Sequence, residues 1–410
     1  MANAACKDTG LNRVGLQRRH ESHGLSRAML LVFAVTCGMS VANIYYAQPL
    51  LASMAATFAI TPGSIGAVVT FTQLGYALGL LFIVPLGDLV DRRKLIVVQT
   101  LLSAVALIVV STAQAPSVLF SGMIAVGLLA VVVQVLVAFT ATLAASAERG
   151  RAVGFVTSGV VIGILGARFI SGVIADLGGW RSVYFFSALL MLALSVLLAC
   201  LLPRQQPKAA SESYGAVLRS LPILFLREPL LRSRAVLALL IFASFSTLWT
   251  AMVLPLSSAP LSLSHTKIGL FGLAGVAGAL AASGAGRLAD RGLAQRTTGI
   301  ALAVLTCSWV PIALLHDSLV ALVIGVILLD LSVQAVHVTN QSLIFSARPE
   351  ARSRLVGGYM VFYSIGSAIG AIASTNIYAV MGWIGVAILG AAFSSTGLIF
   401  WAVTRRAAST

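Results

Sequence analysis

Residues 87–92 read GDLVDR, and residues 286–291 read GRLADR, an offset of 199. A second pair keeps nearly the same spacing: ERGRAVG at 148–154 and EARSRLVGG at 350–358, about 202 residues apart. Both pairs fall in short basic stretches between long apolar runs. Two matches at one offset, in the same place in the hydropathy pattern, mark the chain as two related halves. The chain has 410 residues, 59% hydrophobic and 10% charged, with a mean hydropathy of +1.00. A soluble domain is about a quarter charged. Apolar runs of about 18 residues or more recur throughout, each long enough to cross a hydrocarbon core of about 30 Å as a helix. Only helices and closed barrels satisfy the backbone in lipid, and these runs lack the alternation of barrel strands. The expected fold is an all-α membrane protein.

The runs predict helices at 27–57, 61–86, 93–113, 117–146, 151–176 and 181–202. After the polar stretch PRQQPKAASESYG come helices at 234–258, 266–289, 297–315, 318–346, 352–380 and 382–404. That is twelve transmembrane helices in two pseudo-symmetric six-helix bundles. The expected divisions are a tail 1–26, a first bundle 27–203, a linker 204–232, a second bundle 233–405 and a tail 406–410. Parallel repeats related by an axis along the membrane normal place a transport site between the halves.

The net charge of +15 would suit a nucleic-acid binder, but its distribution does not. Of the 27 Lys and Arg residues, 24 lie in the two tails, the linker and alternate loops. That is the positive-inside pattern, which puts both termini in the cytoplasm. Nucleic acid is excluded as a partner, and the lipid bilayer is the expected surroundings. The four cysteines are scattered and supply neither a disulfide framework nor a metal site. No GxxxxGK[ST] loop is present for ATP-driven transport. No cofactor is implied, and no clustered catalytic groups point to an enzyme.

GDLVDRRK resembles the loop signature of the major facilitator superfamily, Gly-x-x-x-Asp-Arg-x-Gly-Arg-Lys, shortened by two residues. NIYYAQPLL (43–51) and LLDLSVQAVHVTNQS (328–342) are similar to a bacterial branch filed with drug/proton antiporters. The resemblance covers roughly residues 27–405 and implies the major facilitator fold, a transporter working by alternating access. It also implies that Gly87, Asp91, Arg92, Asp290 and Arg291 latch the outward-open state; basic residues that only hold the loops inside are the competing reading. The fourth predicted helix lacks the embedded Arg of many such antiporters. The fifth carries Ala167-Arg168 where their signature has Gly-Pro.

Asp330 is the one acidic residue of 12 that falls deep in a span. A charge there costs at least about 2.5–3.5 kcal/mol, so it needs a partner, water or a proton. Burial favours the neutral acid and a nearby cation favours the carboxylate, which is the competition a proton carrier uses. Asp330, Gln334, His337 and Gln341 are spaced 4, 3 and 4 and fall within a sector of about 60° on a helix. Arg168 is the one Arg or Lys deep in a span. It lies about 25 Å from its helix start and Asp330 about 18 Å from the opposite side, at 1.5 Å per residue. The two are expected to meet across a cavity or to share a substrate. Proton coupling is thus assigned to Asp330, Arg168 and His337. The expected cavity residues are Asn43, Tyr46, Gln73, Tyr76, Gln134, Trp249, Gln334, Gln341, Tyr359 and Tyr363, each of which packing alone also explains. The expected function is proton-coupled efflux of a small organic molecule across the bacterial inner membrane, by a monomer. Uptake by proton symport, or facilitated diffusion of an anionic solute held by Arg168, is the alternative.

Overall fold

The computed structural model describes residues 26–145, 148–203, 214–275, 284–289, 291–347 and 352–405. Its regular elements are helical, with no strand among the described residues. The first half holds α1 (Arg27–Tyr45), α2 (Leu51–Phe58), α3 (Ala67–Phe82), α4 (Arg92–Ser111), α5 (Pro116–Ala130), α6 (Val132–Leu143), α7 (Arg149–Gly178) and α8 (Trp180–Leu201). The second half holds α9 (Tyr214–Arg227), α10 (Pro229–Ala251), α11 (Val253–Ser257), α12 (His265–Leu270), α13 (Ala294–Cys307), α14 (Trp309–Ala313), α15 (Leu319–Ala347) and α16 (Arg352–Thr404). Several are fragments of longer rods, as in α1–α2 and α5–α6. Ten such rods are long and apolar enough to span a membrane among the described residues. The last of them, Leu355–Thr404, is two helices merged across Gly382, whose φ of 63° only glycine adopts without strain. The middle of the predicted helix 266–289, residues 276–283, lies outside the described residues.

Local chemistry sets where the helices begin. Ser26 Oγ accepts a hydrogen bond from Met29 N at 3.1 Å, and Asp91 Oδ1 accepts from Arg93 N at 2.9 Å. Pro116 and Pro229 start α5 and α10, where a missing N–H costs nothing. The outward faces carry side chains such as Ile162, Ile300, Val310 and Val320, all more than half exposed in the isolated chain. An apolar surface of that extent is covered by lipid. Inside each half, small residues bring backbones together: a Cβ on Gly159 would run into the Ala34 carbonyl, and one on Gly163 into the Gly38 carbonyl, so α1 and α7 pack tightly.

The linker region differs from its reading as a polar loop, since it carries the 14-residue helix α9 with Pro222 inside it. Tyr214 at its start donates to the Phe82 carbonyl at 2.8 Å. Arg234 also differs. The sequence places it among the loop cations, but α10 begins at Pro229, so Arg234 sits inside the helix, 2% exposed, with Nη1 3.4 Å from Asn340 Oδ1.

Candidate functional site

The two halves touch mainly at the end of the molecule away from the chain termini, the distal end. On one side α3 meets α16: Thr70 Oγ1 donates to the Ala368 carbonyl at 2.9 Å, and Thr375 Oγ1 to the Gly63 carbonyl at 2.7 Å. On the other side α7 meets α12, with Gly172 against the His265 backbone and Gly269 against the Arg168 carbonyl. Between these seams the Tyr45 and Tyr363 hydroxyls share a hydrogen bond of 2.6 Å.

Arg168 and Asp330 lie just inside this closure, 2% and 4% exposed. Arg168 Nε donates to Gln48 Oε1 at 2.6 Å. Its guanidinium carbon stands 3.8 Å from the centroid of the Trp249 ring, 5.1 Å from that of Tyr45 and 5.7 Å from that of Phe245. These are cation–π distances. The Trp249 indole N–H donates to Asp330 Oδ1 at 3.0 Å. One indole therefore holds both charges, the cation on its face and the carboxylate at its edge. Arg168 and Asp330 thus approach one ring from its face and its edge, and no ion pair joins them among the described residues. A void of about 10 Å³ beside Arg168 is bounded by Gln48, Pro49, Trp249, Met252, Val253 and Ile268, room for about one water molecule. Beyond Pro49 and Ile268 a larger cavity of about 280 Å³ reaches Ser53 and His265.

The other expected cavity residues separate into groups. Tyr363 stays on the seam through Tyr45. Tyr359, fully buried, bonds His337 Nδ1 at 3.0 Å, and His337 Nε2 lies 3.3 Å from Gln341 Nε2. That network sits within the second half, away from Arg168, and His337 packs edge-on against Phe242. Gln334 is half-buried on the same helix. Gln134 Nε2 reaches Tyr76 OH at 3.4 Å, and Gln73, 4% exposed, leaves its Oε1 without a partner. Asn43 and Tyr46 turn into the first half. Asn43 Oδ1 accepts from Ser187 at 2.6 Å, while Tyr46 approaches Met39 Sδ at 4.0 Å. Tyr45, their neighbour, is the residue of α1 that faces Arg168.

Arg92 joins the Gly87 carbonyl and Thr142 Oγ1, both at 2.7 Å, tying the end of α3 to the end of α6. Asp91 caps α4. Both contacts lie within the first half. Arg291 is exposed, and Asp290 falls outside the described residues.

A cluster at the distal end has no counterpart in the sequence reading. Asp176, near the end of α7, accepts from His265 N at 3.1 Å and Thr266 N at 2.9 Å, and its Oδ1 lies 2.7 Å from His265 Nδ1. The opposite ring nitrogen of His265 bonds Ser53 Oγ on α2 at 2.6 Å. Asp176 thus satisfies the free N–H groups at the start of α12, where a carboxylate is favoured. His265 is clamped between two helices of the other half.

The sequence profile of the Major Facilitator Superfamily matches residues 29–349 and 235–410. The chain belongs to this superfamily. Among its relatives is the transporter YgaY of Escherichia coli O157:H7, 44% identical over 383 residues, covering 93% of this chain and 96% of that one. The transporter SCO4007 of Streptomyces coelicolor is 30% identical over 385 residues, covering 93% and 88%. Of solved folds, a bacterial homolog of the human lysosomal transporter Spinster, inward-facing and occupied, superposes with a TM-score of 0.75 at 13% identity, covering 94% of this chain and 98% of that one. The nucleoside transporter NupG gives 0.71 at 13%, covering 91% and 99%. The protein is therefore a multi-pass membrane transporter with the two-bundle fold of the superfamily and not an enzyme. Its halves are the two bundles, and Arg168 from one and Asp330 from the other meet one indole at their interface.

Proposed function

We propose that the protein is a proton-coupled efflux transporter of a small organic molecule in the bacterial inner membrane, with Asp330 as proton carrier. One observation carries the reading: a carboxylate and a guanidinium from opposite bundles, both buried, share Trp249 without pairing with each other. A fixed structural pair would be in contact, since two buried charges lose solvation that only close pairing repays. A proton site needs a carboxylate whose surroundings change as the bundles rock. The positive-inside pattern puts the termini in the cytoplasm, so the distal seams face outward. The described state is then closed to the outside by α3–α16, α7–α12 and the Asp176–His265–Ser53 clamp. The inward-facing Spinster relative supports that assignment. A relative named an inner membrane transport protein, YnfM of Escherichia coli K12, is 24% identical over 311 residues and supports the location.

The reading is tested in everted vesicles, on compounds that inhibit a deletion strain more than its parent. Asp330→Asn should abolish gradient-driven uptake at any substrate concentration and keep exchange only at saturating substrate, because exchange needs no net proton movement. Driven transport at the parental rate would remove Asp330 from the mechanism. Uptake is separated from efflux by the sign of the substrate-induced pH change in proteoliposomes of known orientation.

A further inference from the structure

The central site holds two charges and spends only part of each. Arg168 gives Nε to Gln48, but its Nη2 is buried with no hydrogen-bond partner. An orphaned charged donor at 2% exposure is costly. Asp330 receives the Trp249 N–H on Oδ1, and its Oδ2 points toward Gly275, where a Cβ would stand 3.3 Å away. One turn earlier a Cβ on Gly272 would stand 3.1 Å from Arg168 Cβ. The backbone at Gly272 and Gly275 thus comes close to both charges, with the Leu165 side chain packed at Gly275, and the one-water void opens on the Arg168 side.

A ligand that carried only a negative charge would satisfy Arg168 and crowd a second anion against Asp330. A ligand that carried only a positive charge would satisfy Asp330 and leave Arg168 unmatched. One molecule answers both: a carboxylate and an ammonium a few bonds apart, spanning the two sides of an indole. We propose that the substrate is a small zwitterion of the amino-acid or short-peptide type, its carboxylate on Arg168 and its ammonium on Asp330. Tyr45 and Phe245 would then flank the carboxylate end. The proposal rests on the transport reading and sharpens it. Proton and ammonium compete for one carboxylate, so the proton that arrives at Asp330 displaces the ammonium, and antiport follows without a second proton site.

The experiment uses the purified full-length protein in nanodiscs and reads thermal stabilisation by ligand, which does not depend on coupling. The probes are the twenty standard amino acids and a set of dipeptides. The methyl ester and the N-acetyl form of the best binder follow. The zwitterion should stabilise, and each single-charge form should bind at least about 30-fold more weakly, the loss expected when one partner of a buried charge pair is removed. In Asp330→Asn the preference should reverse, the N-acetyl form binding at least as well as its parent. Equal binding of all three forms to the unaltered protein would overturn the proposal, as would stabilisation by none of the zwitterions at 10 mM, about ten times the roughly 1 mM upper end of common Michaelis constants. If zwitterions fail while another compound shows Asp330-dependent driven transport, the substrate class falls and the transport reading stands. If Asp330→Asn leaves driven transport intact, the transport reading falls whatever binds.

Discussion

Replacing Asp176 with Ala should open the distal end of the protein. The side chain accepts from two backbone N–H groups at the start of α12 and faces His265 Nδ1 at 2.7 Å. Hydrogen bonds to a charged group are worth about 1.5–3 kcal/mol each when buried. Here the aspartate side chain is 28% exposed and that of His265 is 26% exposed, so water recovers much of the loss. Removing a helix cap costs about 0.5–2 kcal/mol. Allowing for overlap between these contributions, the distal-closed state loses about 1–2 kcal/mol relative to the open one. That shifts the population ratio by about 5–30-fold, enough to be seen if the gap between the two states is a few kcal/mol. Spin labels on exposed residues near the start of α3 and the Gly382 turn of α16, read by pulsed dipolar spectroscopy in nanodiscs, should show a longer-distance population in Asp176→Ala. Asp176→Asn, which keeps one acceptor, should show a smaller one. A folded Asp176→Ala protein with an unchanged distance distribution would refute the reasoning that this clamp holds the seam.

Other substitutions probe separate links. Trp249→Phe keeps a ring under Arg168 and removes the N–H given to Asp330, so folded yield should hold while the driven transport rate falls by tenfold or more. Gly163→Leu would push side-chain atoms into the Gly38 backbone, and overpacking of about 1–3 kcal/mol should lower the midpoint of thermal unfolding by several degrees. Arg92→Lys cannot make the fork from the Gly87 carbonyl to Thr142, and limited proteolysis should cut the α3–α4 loop faster than in the parent.

The span pattern and the two buried charges were legible in the sequence because lipid makes them so. A long apolar run has few other fates, and Arg168 and Asp330 stand out where charge is otherwise excluded. Placing Trp249 in the site was also within reach. The helix face at 43–46 was not. In α1 buried residues run almost unbroken from Val41 to Tyr46, so periodicity does not tell the face toward the second bundle from the face toward α8. Asn43 and Tyr46 therefore stand out by polarity and spacing, and Tyr45 does not. The clamp was hidden for another reason. Asp176 and His265 are 89 residues apart at two helix ends, positions where acids and histidines are common and no spacing rule applies. Arg234 was masked by its neighbours, since a cation one turn inside a helix beside a basic loop reads as part of that loop.

If Asp330 carries the proton, its face of α15 lines water that opens to one side at a time. Gln334 lies on that face one turn from Asp330, so a single Gln334→Cys in a chain with its four native cysteines changed to Ala reports on it directly. A membrane-impermeant thiol reagent should label it from the side of the chain termini alone, and adding Asp176→Ala should bring labelling from the opposite side. Labelling from neither side in both backgrounds, or from both sides at once without the second substitution, would contradict it.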